Sequence, residues 1–151
     1  MSQWKSVDEI LDFAIENEEG AATFYAGLAA KMDSAAMREV FEGFAREEQG
    51  HKAKLLKVKQ SGDMEPAAGN ILDLKIGDYL VDAESSPEMT YQDALILAMK
   101  AEKAAFKLYT DLAAATADAS VHDMLLGLAQ EEAKHKLRFE VEYDDHFLAE
   151  N

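Results

Sequence analysis

At 151 residues the chain is the size of one ordinary domain and can bury a sizeable core. A net charge of −15 argues against a nucleic-acid partner, which needs concentrated Lys and Arg, and the lack of cysteine excludes disulfides, thiolate zinc sites and iron–sulfur centres. No apolar run approaches the roughly 18–20 residues of a membrane span. Met1-Ser2-Gln3-Trp4-Lys5 leads straight into charged residues with no visible signal peptide, so a soluble cytoplasmic protein without a membrane partner is expected.

The Ala- and Leu-rich apolar set, with Pro66 and Pro87 the only prolines, favours long helices. Ser6-Val7-Asp8-Glu9 has the form of a capping box and predicts a helix start. Val7, Leu11, Ala14, Glu18, Ala21, Tyr25, Leu28 and Met32 then recur at steps of four and three, the stripe of a bundle helix. Asp33 or Ser34 can cap the next helix, whose stripe is Met37, Phe41, Phe44, Glu48, His51, Leu55 and Val58, ending at Ser61-Gly62-Asp63. So short a link predicts an antiparallel hairpin over residues 6–60.

Residues 61–89 are different: they hold both prolines and predict a long crossover with one short helix around Ile71 to Val81. Such a crossover can run back along the bundle, so that the third helix starts at the same end as the second. A capping-box-like start at Thr90 opens a second hairpin over 90–147. Its stripes are Tyr91, Leu95, Ala98, Glu102, Ala105, Tyr109 and Leu112, then Val121, Leu125, Leu128, Glu132, His135 and Phe139. The last helix is expected to continue past Glu142 and to fray near Phe147.

The two hairpins repeat without a gap at an offset of 84: Glu18, Tyr25, Glu48 and His51 return as Glu102, Tyr109, Glu132 and His135. The whole chain is therefore expected to form a single all-α domain, a four-helix bundle of two repeated hairpins about a pseudo-twofold axis. In every helix the apolar stripe is broken near its middle by Glu, or by Glu and His. A residue flanked on its own stripe by apolar neighbours faces the core, and clustered buried carboxylates are costly unless neutralised. Two Glu-x-x-His pairs, each with both side chains one turn apart on one helix face, plus a Glu from each remaining helix, form the ligand set of a dinuclear carboxylate site. Four carboxylates and two neutral imidazoles balance two divalent ions. Such ligands suit iron or manganese, with zinc possible by affinity. Tyr25 and Tyr109 point inward two turns on and can reach the other half's carboxylates as donors.

Either Glu-x-x-His alone would usually be a chance pairing or a solvated face, and a lone His51 or His135 a core histidine. It is the conjunction, in register with the core stripes, that carries the metal reading. Glu47 and Glu131 repeat too, but their helical phase turns them to the flank or surface. Glu16, Glu19, Glu140, Glu142, Asp144 and Asp145 are read as solvated, His122 and His146 as having no site role, and Met32, Met37, Met99 and Met124 as core filler.

The pattern Glu18-x₆-Tyr25, Glu48-x-x-His51, Glu102-x₆-Tyr109, Glu132-x-x-His135 resembles the ferritin-like di-iron domain of the rubrerythrin family over nearly the whole chain. The resemblance implies a ferritin-like bundle with two Fe ions at mid-height. It makes Glu18, Glu48, Glu102 and Glu132 the carboxylate ligands, two of them bridging, and gives His51 and His135 one metal each. Tyr25 and Tyr109 would be the adjoining catalytic side chains. It further implies a homodimer, in some members with exchanged helices, that reduces hydrogen peroxide. Two departures bear on this. Members with a rubredoxin domain carry four cysteines that deliver electrons; this chain has none, so an external electron-donor protein is expected. Those members also have an extra glutamate three residues after the third-helix ligand, where this chain has Ala105, echoed by Ala21. The alternatives are a ferroxidase that handles iron with dioxygen as oxidant, and a structural bundle holding a non-redox Zn or Mn pair.

Overall fold

The computed structural model describes residues 6–62, 76–81 and 89–148. Within them lie four long helices: α1 (Val7–Ala30), α2 (Ala35–Ser61), α3 (Tyr91–Ala115) and α4 (Ala119–Tyr143). Among the described residues between α2 and α3 there is a 3-10 turn, Ile76–Tyr79, and a π-helical turn, Asp144–Leu148, extends α4.

Each helix begins where a side chain can accept a hydrogen bond from an otherwise unpaired N–H of the first turn. Ser6 accepts from the Glu9 N–H at 3.1 Å, and Thr90 from that of Asp93 at 3.0 Å. Of Asp33 and Ser34 it is Ser34 that caps α2, accepting from Met37. Asp118 caps α4 by accepting from Val121 at 2.9 Å. Helix α2 closes at Gly62, whose φ of 71° is left-handed and whose N–H reaches the Val58 carbonyl. A β-carbon would make that closure costly.

Most of the predicted crossover, residues 63–75 and 82–88, lies outside the described residues, as does the first half of the short helix expected around Ile71 to Val81. Its described half is not an α-helix but one 3-10 turn, with Leu80 and Val81 non-helical. Intrinsic propensity does little for this piece, because Gly77 carries a high backbone-entropy cost inside a helix. It is tied down instead by Tyr79, which is 3% exposed, donates to Asp111 of α3 at 2.9 Å and lies under the Lys107 ammonium.

The C-terminal ends of α1 and α4 and the N-terminal ends of α2 and α3 meet around one pocket. Helices α2 and α3 therefore start at the same end, as the long crossover requires. Along the bundle the apolar stripes form two clusters. One is mainly aliphatic, around Ile10, Leu11, Leu55, Leu112 and Leu125; the other is aromatic, around Tyr25, Phe41 and Phe139.

One acidic residue departs from its expected place. Glu142 is not solvated but 5% exposed, accepting from Tyr91 at 2.6 Å with His146 Nε2 at 2.8 Å. It lies three residues after Phe139, so it continues the α4 stripe inward.

Candidate metal centre

Each helix carries its polar interruption to the level between the two apolar clusters. Helix α1 supplies Glu18, α2 Glu48 and His51, α3 Glu102, and α4 Glu132 and His135. All six are 1–2% exposed. The structure thus brings together all six residues that the sequence pattern singled out, in a place where unpaired charge is expensive.

Their ligand atoms converge in two overlapping groups, each within 4.8 Å: Glu18, Glu48, His51 and Glu132, and Glu48, Glu102, Glu132 and His135. Glu48 and Glu132 belong to both. His51 Nδ1 lies 3.0 Å from a Glu132 oxygen, 3.4 Å from Glu18 and 3.6 Å from Glu48. His135 Nδ1 lies 3.0 Å from Glu102 and 3.1 Å from Glu48. The two rings are nearly parallel, with centroids 6.2 Å apart.

Close as they are, these atoms do not hydrogen-bond one another. Among the described residues, the buried side-chain polar atoms without a hydrogen-bond partner are one oxygen each of Glu18, Glu48, Glu102 and Glu132 and the Nδ1 atoms of His51 and His135. Buried polar atoms are almost always satisfied. Six orphaned donor atoms aimed at one region, four carboxylate oxygens and two imidazole nitrogens, fit a pair of divalent cations.

The outward-facing atoms of the same residues are held in place. Tyr25 of α1 donates to Glu102 Oε1 of α3 at 2.8 Å, and Tyr109 of α3 donates to Glu18 Oε1 of α1. Across the other helix pair, His51 Nε2 contacts Glu131 Oε2, and His135 Nε2 lies 3.0 Å from Glu47 Oε2. Glu47 and Glu131 are therefore not idle flank residues. Their side chains are 50% and 39% exposed, as their phase predicts, yet each carboxylate turns back to hold the opposite helix's imidazole. With Nε2–H donated to a carboxylate, Nδ1 is left to face the centre. The signal that could have exposed them was their own repeat at the common offset. His122 and His146, by contrast, stand away from the centre, their side chains 42% and 52% exposed.

Burial and mutual repulsion set these clustered carboxylates against their own ionisation. Burial raises the Glu18, Glu102 and Glu132 carboxyls to about 7, against the partial relief their histidine neighbours give, and raises Glu48 as well. Burial alone would lower the imidazoles, but Glu132 and Glu18 around His51, and Glu102 and Glu48 around His135, outweigh it and push both up to about 11. Burial, then the adjoining carboxylates, raises Tyr25 and Tyr109 well above the usual phenol range, so both remain proton donors.

The rubrerythrin family model matches residues 9–143 of the chain. A hypothetical protein from Pyrococcus furiosus, of known structure, is 29% identical over 93% of this chain and 89% of that one, with a TM-score of 0.71. A crystal structure of a ferritin-like diiron-carboxylate protein from Thermotoga maritima covers 95% of this chain and 97% of its own at 18% identity and a TM-score of 0.77; at that identity the likeness speaks to fold. No curated protein matches the chain.

Proposed function

The chain belongs to the rubrerythrin family and has a ferritin-like four-helix fold with a buried Glu/His cluster able to bind metal, and from that premise we propose that it is a di-iron peroxidase reducing hydrogen peroxide to water. In this reading Glu18, Glu48, His51, Glu102, Glu132 and His135 would hold the irons, with Glu48 and Glu132 common to both groups of donor atoms. The observation that carries the reading is the set of six buried donor atoms without hydrogen-bond partners, falling into two groups with two carboxylates in common.

A reduced iron pair supplies two electrons and a Lewis-acidic surface for cleaving an oxygen–oxygen bond. Around it, Glu131 and Glu47 fix which imidazole nitrogen faces the centre. Tyr25 and Tyr109 orient the Glu102 and Glu18 carboxylates and hold protons beside them. The two apolar clusters shield the ligands from bulk water. One peroxide takes two electrons and two protons to give two waters. The electrons return from a separate donor protein, since the chain has no cysteine with which to build its own iron–sulfur relay. A cytoplasmic homodimer is the assembly we assign to it.

Anaerobic stopped-flow mixing of the iron(II)-loaded protein tests this directly. Hydrogen peroxide should produce the diferric absorption band much faster than an equal concentration of dioxygen. The peroxidase reading fails if dioxygen is the faster oxidant. A hollow assembly that takes up iron well beyond two per chain would point instead to iron storage.

A further inference from the structure

A cavity of about 360 Å³ lies between α1 and α3 and reaches the centre. Glu18, Glu48, Glu102 and Glu132 contribute to its walls, whereas neither imidazole does. Glu16 and Asn17 add polar groups, but most of the remaining lining is small or apolar, including Gly20, Phe24, Ala101 and Ala105, with Leu80 and Val81 from the segment pinned by Tyr79. Leu80 is 54% exposed, as a residue at a mouth would be.

This space is larger and more apolar than hydrogen peroxide alone requires. Two oxygen atoms need about two water volumes, or roughly 60 Å³. The cavity falls instead in the ~300–1,000 Å³ range of sites for small organic molecules. Apolar walls offer a small polar peroxide no advantage over water, but they reward an apolar group at about 25 cal/mol per Å² removed from water. We propose that the cavity receives the apolar part of an organic hydroperoxide, R–O–OH, whose O–OH end meets the centre on the side of Glu18 and Glu102. This rests on the peroxidase reading and names its substrate class. The oxygen–oxygen bond breaks with two electrons and two protons to give R–OH and water. The electrons are those of the reduced metal pair, restored by the external donor protein, and the alcohol leaves by the mouth.

Cumene hydroperoxide and its unreactive product, 2-phenyl-2-propanol, are suitable probes. Ala101→Phe fills the cavity from within. Gly20→Leu narrows it at an exposed helical position where an added β-carbon meets nothing within 4 Å, and Leu is the better helix former, so this variant keeps its fold. Calorimetric titration should show saturable binding of the alcohol to wild-type protein, iron-loaded and metal-free, weakened at least tenfold in both variants. In stopped flow, the ratio of the cumene hydroperoxide to the hydrogen peroxide rate constant should fall at least tenfold in both. An alcohol that does not bind, or a ratio that stays within twofold of wild type, overturns the assignment while fast oxidation by hydrogen peroxide leaves the peroxidase reading standing. Dioxygen outrunning both hydroperoxides overturns the peroxidase reading and this assignment with it.

Discussion

Each imidazole at the centre is gripped at both nitrogens: Nδ1 faces the carboxylates of the cluster, and Nε2 faces a carboxylate from the opposite hairpin. That second contact selects the tautomer able to bind a cation through Nδ1 and fixes the ring plane. Losing such a partner typically weakens metal binding by about 10- to 100-fold. Glu131→Ala and Glu47→Ala should each show a loss of that size in competition with a chromogenic chelator, with helix content unchanged by circular dichroism. Glu131→Gln keeps an acceptor and should lose less. Equal affinity in all three variants would reduce these contacts to surface pairs. This layer is hard to read from sequence for a physical reason. Helical phase reports where a Cα faces, but a glutamate has enough reach to bring its carboxylate back to a neighbouring helix. Glu18 and Glu48 are legible because their stripes are apolar on both sides; Glu131 sits one position off its stripe.

At the scale of the elements, the helices are legible because two signals coincide: stripes that step by three and four, and capping residues where the stripes begin. Helix α4 announces itself by its stripe alone, yet Asp118 supplies the cap, with its own N–H also placed 3.3 Å from the Thr116 hydroxyl. Asp118→Ala removes the acceptor from the first turn of α4 and should cost about 1 kcal/mol. For a domain of this size that is a fall of roughly 2–4 °C in Tm, measurable by thermal denaturation. No change would mean that packing alone sets this helix start. The segment before α3 is less legible because it has neither signal. Tyr79 is placed by partners on α3, Asp111 and Lys107, which local sequence cannot reveal. The repeat also overstates the symmetry. Phe41 and Phe44 stand where the second half has Leu125 and Leu128, and the Phe44 ring lies 4.2 Å from that of His135. The two ends of the core, and the surroundings of the two imidazoles, therefore differ although the converging side chains repeat.

For the whole molecule, the decisive quantity is the free energy of gathering four carboxylates and two imidazoles away from water, and it makes stability depend on pH in opposite senses with and without metal. In the metal-free protein Glu18, Glu102 and Glu132 rise from an ordinary 4.5 to about 7. The folded state then binds more protons than the unfolded state between those values. The contribution of these groups is complete below pH 4.5 and is lost as pH climbs through 7. His51 and His135, raised from 6.5 to about 11, have the same sign: their contribution is complete below 6.5 and lost as pH rises toward 11. A tenfold difference in proton affinity between the folded and unfolded states corresponds to about 1.4 kcal/mol, so the decline should be plain in Tm. Metal-free protein should therefore melt several degrees lower at pH 8 than at pH 5.5. Metal reverses the slope, because cation binding displaces protons from the same carboxyls and imidazoles and its affinity rises with pH. Loaded protein gains stability in proportion to the logarithm of metal concentration over Kd, and so should melt higher at pH 8 than at pH 5.5. Thermal melts of chelator-treated and iron(II)-loaded protein, prepared anaerobically at the two pH values, give four numbers whose signs are fixed in advance. Parallel slopes would mean that the buried cluster does not exchange its protons for metal, and the assignment of these six residues as the metal centre would fall.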